Sequence, residues 1–228
     1  MVVVAAFVLS FVIAGQGAIP MKQPDKVWWI FLERTKTPLV VPKEEADHMQ
    51  ESHIGNFKRL FGLKKLLCAG PLQDAPGGNK RGIVVLTVGS LKAVKDCFLP
   101  DPYVQGNILN AHAIPMEVKF GRFELVKADP NGIEENRLVV FTASHPLTRE
   151  AGDTHWSYVC DTGPNNRLSF AASSTKDDEI VQVALFRGTN DAELQAWLDA
   201  DPIVKSGVLR ATIYPQWLAK GTLPDLSH

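Results

Sequence analysis

The sequence predicts an α+β protein made of two ferredoxin-like βαββαβ repeats packed sheet to sheet within one chain. Three observations carry that expectation. Asp101–Pro115 aligns with Asp201–Pro215 at a constant offset of 100, sharing Asp, Pro, Val, Leu, Ala and the closing Pro without a gap. Self-similarity of this kind marks an internal duplication. Each half also runs through the same order of patterns (strand, helix, strand, strand, helix, strand), which is the split-βαβ arrangement. Finally, the 228 residues are 45% hydrophobic and 21% charged, a globular composition with room for one large domain or two of about 100 residues.

The chain opens on Val2–Ala14, an apolar run broken by one serine and followed by Gly15, Gln16, Gly17, Ala18 and Pro20. About 13 apolar residues fall short of the roughly 20 needed to cross a bilayer. Residues 1–20 therefore read as a secretory signal peptide, although no Lys or Arg precedes the run. The alternatives are an uncleaved anchor and a start at Met21. A signal implies a periplasmic or secreted protein without stable membrane insertion after processing; the other start implies a cytoplasmic one.

The first repeat is placed at residues 25–118 and the second at 136–220. Val27–Leu32 and Leu138–Thr142, rich in β-branched and aromatic residues, read as first strands buried on both faces. Lys43–Phe61 carries His48, Met49, Ile54, Phe57, Leu60 and Phe61 near helical spacing, between Pro42 and Gly62, which suit a helix start and stop. Lys65–Gly70 and Arg167–Ala172 read as second strands, and Gly82–Val88 and Glu179–Phe186 as third strands. Gly77, Gly78 and Asn79 supply the turn between them in the first half. Ser90–Leu99 and Thr189–Leu198 read as helices, each opening on a hydroxyl able to accept a backbone N–H bond. Asn110–Val118 and Arg210–Leu218 close the repeats, their prolines sitting where a strand end or edge tolerates one. Helices on one face of such a sheet leave the other apolar face in need of cover. Two copies in one chain provide it as an intrachain pseudo-dimer, with further oligomerisation left open.

Charge and cysteine usage narrow the function classes. Lys and Arg number 24 against 25 Asp and Glu, a balance without the electrostatic footprint of a nucleic-acid binder. Cys68, Cys97 and Cys160 are odd in number and have no close Cys or His neighbour, so they form neither a disulfide framework nor a zinc signature. Cys68, on an apolar strand, reads as a small buried hydrophobe. Trp28 and Trp29 alternate across a strand and read as core packing. His48, His145 and His228 read as surface, loop and chain end, and His112 is replaced by Thr212 in the repeat. No cofactor or metal is expected.

Three segments of the first half resemble the YciI-like (YCII-related) domain family: His53 within Glu51–Leu60, then Leu67–Leu72 with its Ala-Gly-Pro, then Asp101–Val104. The second half resembles the same family through Asp201–Val204 and Tyr214–Trp217, with His155 standing 13 residues before Leu168 as His53 stands 13 before Leu66. The resemblance implies a dimeric α/β barrel in which a His and an Asp face each other in a small cleft. Most members have no assigned activity. One relative is a dehydrochlorinase acting on a chlorinated hydroxyquinol, and similar folds serve muconolactone isomerisation, so the resemblance implies proton transfer on small cyclic molecules.

The candidate catalytic residues are His53, Asp101, His155 and Asp201. An Asp that accepts a bond from one imidazole nitrogen fixes the tautomer and leaves the other nitrogen free as a base. Taken singly, His53 reads as a helix-face histidine and Asp101 as turn chemistry ahead of a proline; their recurrence favours a pair. A His/Asp pair without further ligands is a poor transition-metal site. The expectation is therefore metal-free acid–base chemistry, an elimination or isomerisation, with His53 as acid/base and Asp101 orienting it. The alternative is a small-ligand-binding or assembly module. Gly152 before and Gly163-Pro164 after His155 predict a distorted helix that leaves His155 misaimed, hence one live site and one decayed. Tyr103, replaced by Ile203, predicts that the two pockets differ.

Overall fold

The computed structural model describes residues 25–37, 41–73, 78–124, 129–163, 167–176 and 179–224. The signal-peptide segment, Gly77 of the expected turn and His228 lie outside the described residues. The first half runs β1 (Lys26–Arg34), α1 (Lys43–Gly62), β2 (Leu66–Pro71), β3 (Lys80–Leu86), α2 (Leu91–Cys97), α3 (Pro102–Gln105) and β4 (Leu109–Gly121). The second half follows the same order: β5 (Asp129–Thr142), α4 (Arg149–Thr162), β6 (Leu168–Ser174), β7 (Ile180–Arg187), α5 (Asp191–Ala200), α6 (Pro202–Lys205) and β8 (Arg210–Lys220). No helix among the described residues is long and apolar enough to cross a membrane.

The strands form one antiparallel sheet of eight in the order β2-β3-β1-β4-β6-β7-β5-β8. Within each half the first strand lies between the third and the fourth, as Trp28 does between Leu86 and Pro115, and Arg137 between Phe186 and Pro215. Register irregularities recur at matching places, between Leu66 and Cys68 and between Leu168 and Phe170.

The sheet-to-sheet dimeric α/β barrel that was expected forms with its edges joined into one sheet. β4 outruns its own sheet, and Met116–Gly121 pairs with β6 from Ser174 to Phe170. On the other side, Leu72 bridges Gln216, and the Gln73 N–H donates to the Pro215 carbonyl at 2.8 Å, matched by Thr175 N–H to Pro115 carbonyl at 2.9 Å. Such pairing satisfies edge N–H and C=O groups that two isolated sheets leave open. The result is a nearly closed barrel. Its two seams require glycine: a Cβ at Gly70 would lie 2.0 Å from the Trp217 carbonyl oxygen, and one at Gly121 (φ +75°) 1.9 Å from that of Ser169.

The barrel interior draws on both halves. Trp29, Phe31, Ile83, Val85, Phe170, Val183, Leu185 and Leu218 share one buried cluster, and the Trp29 and Phe170 rings stack at 5.9 Å. Two further clusters lie between the sheet and the helices, one in each half. Trp29 and Cys68 pack inside the barrel, while Trp28 faces the helices and donates its indole N–H to the Val88 carbonyl at 2.9 Å.

Several boundaries differ from expectation for local reasons. Ser90 caps α2 by accepting from Ala93 N–H, but α5 is capped by Asn190 rather than Thr189; the Thr189 hydroxyl donates to the Arg187 carbonyl instead. The four-residue helices α3 and α6 were not expected. Each begins at an Asp-Pro, with Pro at the first helical position, where its missing N–H is not needed.

Candidate functional site

In α1 the buried face is His53, Asn56, Phe57 and Leu60, an i, i+3, i+4, i+7 stripe. His53 therefore points into the molecule as part of the packing face, while exposed His48 lies off it. In α4, His155 and Val159 occupy the corresponding face. Each helix is also tied to the element that follows the sheet: Asn56 donates to the Cys97 carbonyl at 3.1 Å, and Tyr158 to the Trp197 carbonyl at 2.7 Å.

Both His/Asp pairs come together. His53 Nδ1 lies 2.7 Å from Asp101 Oδ2, and His155 Nδ1 lies 2.6 Å from Asp201 Oδ2. The two carboxylates are fully buried. Their second oxygens cap the short helices: Asp101 Oδ1 accepts from Tyr103 and Val104 N–H, and Asp201 Oδ1 from Ile203 and Val204 N–H. Each carboxylate is thus fixed by its own backbone before it meets the imidazole. An acceptor-only carboxylate at Nδ1 places the ring proton there and leaves Nε2 with a lone pair.

The pair at His155 is not distorted. α4 runs unbroken from Arg149 to Thr162 through Gly152, capped by the Thr148 side chain, and Gly163 lies just past its end. An interior helical glycine weakens a helix by about 1 kcal/mol without redirecting it, so the expected misaiming of His155 does not occur.

The surroundings of the two pairs differ. His53 keeps a tenth of its side chain exposed and packs against Phe57 and Tyr103, with ring centroids 4.5 and 4.9 Å away. The Tyr103 hydroxyl donates to Gln50 at 2.8 Å, and burial, reinforced by Asp101, pushes its ionisation up. An open groove of about 450 Å³ runs along the start of α1 past His48, Met49, Ser52 and Pro102, but His53 is not in its wall.

His155 sits in the wall of a larger cavity, about 690 Å³, between α4 and the sheet. Its ring meets Phe141 edge-on at 4.6 Å, and its Nε2 is buried with no hydrogen-bond partner. Ser173 and Gln182 lie on the sheet side of this cavity, while Trp156 on α4 donates to Ser173 Oγ at 3.0 Å. His145, read from sequence as a loop residue, is part of the rim. Sequence reading passed over Gln182, although a lone amide inside the apolar run Ile180–Phe186 is the signal that marks it. Cys68 is buried, and loss of solvent pushes its thiol far up, as for an unreactive core residue.

No protein-family model matches the chain, and no curated protein matches its sequence. Solved structures do match in shape. A candidate chlorite dismutase superposes with a TM-score of 0.55 at 8% identity, covering 89% of this chain and 96% of its own. A single-substitution variant of chlorite dismutase from Candidatus Nitrospira defluvii gives 0.55 at 9% identity, over 85% and 90% of the two chains. A candidate monooxygenase from Fusobacterium nucleatum gives 0.52 at 9% identity, over 87% and 95%. The likeness is one of fold. The chain shares the dimeric α/β barrel of these proteins.

Proposed function

We propose that the chain is a YciI-like protein, a duplicated ferredoxin-like unit spanning residues 25–118 and 136–220, that carries out acid–base chemistry on a small cyclic molecule. One observation carries the reading: a buried carboxylate holds His155 Nδ1 at 2.6 Å, Nε2 is buried without a partner, and the residue lies in the wall of a cavity. His155 Nε2 takes a proton from a carbon beside a carbonyl, and the C–H electron pair moves into an enolate. The imidazolium is stabilised by Asp201. It then returns the proton to a different carbon, giving isomerisation, or the enolate expels a β-leaving group while His155 passes its proton to solvent. His53 and Asp101 form the same unit at the other half, within a different surround.

A second reading, a binding module without turnover, is favoured by the burial of His155, whose side chain is only 1% exposed. One experiment separates the two. The full chain in D₂O is followed by proton NMR for loss of α-hydrogens from cyclic ketones and lactones. Acceleration that falls by about a hundredfold or more in His155→Ala, the range for a removed general base, supports catalysis. Binding with no acceleration supports the module.

A further inference from the structure

From the cavity beside α4 we infer the chemical class of its ligand: an uncharged ring bearing a hydroxyl next to a carbonyl, held by His155 Nε2 and Gln182 Nε2. The inference rests on the proposed use of this cavity and goes further, because it assigns recognition to a residue outside the His/Asp pair and to one half of the molecule only.

Two residues in the wall of this cavity each carry a polar atom buried without a hydrogen-bond partner, and both residues are at least nine-tenths buried: His155, through Nε2, at 1% exposure, and Gln182, through Nε2, at 2%. A buried polar group left unpaired is destabilising, so such groups are rare in folded chains and call for a partner. With Nδ1–H committed to Asp201, His155 Nε2 is an acceptor; Gln182 Nε2 is a donor. The complementary ligand presents one O–H and one C=O. Register places the two atoms' supports together: Gln182 on β7 pairs with Phe141 on β5 and with Ser173 on β6, and the His155 ring rests on Phe141 at 4.6 Å. The opposite charges of Lys176 and Glu179 on the rim leave no net field to select an ion. Trp156, in the cavity wall, supplies flat apolar surface for a ring.

The first half lacks this set. The residues in register with Phe141, Gln182 and Ser173 are Leu32, Gly82 and Pro71, none of which offers a side-chain hydrogen bond. Recognition therefore belongs to the second half.

The test titrates the full chain with 2-hydroxycyclohexanone, cyclohexanone and cyclohexanol, following backbone amide shifts. The hydroxyketone is expected to bind tightest and to shift α4, β6 and β7. Gln182→Leu is expected to weaken both ketones about tenfold, the size of one lost hydrogen bond, and to leave cyclohexanol unchanged. Gln182→Met, which removes the N–H donor at nearly constant length, is expected to reproduce that loss. Equal weakening of all three ligands, no change in either variant, or shifts confined to α1 and β2 would overturn the inference. Ketone binding with this pattern but without α-hydrogen exchange would overturn the acid–base reading alone. Exchange that depends on His155, with binding indifferent to Gln182, would overturn the recognition alone.

Discussion

Asp101 and Asp201 each divide two oxygens between two tasks, one capping a short helix and one orienting an imidazole. Removing either carboxylate loses a cap, worth about 1 kcal/mol, and a buried hydrogen bond to a charged group, worth roughly 1.5–3 kcal/mol. Asp201→Ala is therefore expected to lower unfolding free energy by about 3 kcal/mol, measured by urea titration. Asp201→Asn is expected to keep much of that stability, since its carbonyl oxygen still caps, yet to reverse the ring tautomer. Glu33 offers a test through pH. A bond from His112, helped by Lys80 at 3.5 Å, outweighs burial and holds the Glu33 carboxyl below its ordinary value. A lowered folded-state value means stability that is complete above the unfolded value and is lost as pH falls through the lowered one. Urea midpoints should thus decline below about pH 4, and Glu33→Gln should flatten that decline; an unchanged slope would contradict the assignment.

The elements follow from local patterns, and their joining does not. Alternating and continuous apolar runs mark the strands because their side chains fill one barrel or face the helices. The stripe from His53 to Leu60 marks α1 because only one face is buried. Short helices α3 and α6 were not legible: an Asp-Pro after a helix reads equally as a turn. Edge pairing of β4 with β6 was hidden too, because register between distant strands is not written in either strand alone. Gly70 and Gly121 carry that information in retrospect. Gly70→Ala and Gly121→Ala each set a methyl group about 2 Å from a backbone oxygen, a clash that the seam must open to relieve. Each is expected to lower thermal stability by several degrees, as for a loss of more than about 1 kcal/mol. A melting temperature equal to the parent's would contradict the seam. For the site, the family resemblance and the recurrence of His and Asp in both halves suggested the His/Asp pairs, whereas Gln182 needed the sheet register to show which face it shares.

At the scale of the whole molecule, one interior cluster is built from both halves, so neither half has a complete core. A fragment covering residues 25–124 is expected to self-associate or to remain unfolded; a folded monomer by sedimentation would contradict the shared interior. Within this common frame the halves differ chemically. Both position an imidazole on a carboxylate, but only the second provides His155, Gln182 and Ser173 around one cavity. The decisive measurement is long-range nitrogen–proton NMR of both imidazoles in the full chain, with and without 2-hydroxycyclohexanone. The expected result is a protonated Nδ1 and bare Nε2 on His53 and His155, with ligand moving only the His155 Nε2 resonance. A protonated Nε2 on His155 in the free protein, or an equal response at His53, would contradict it.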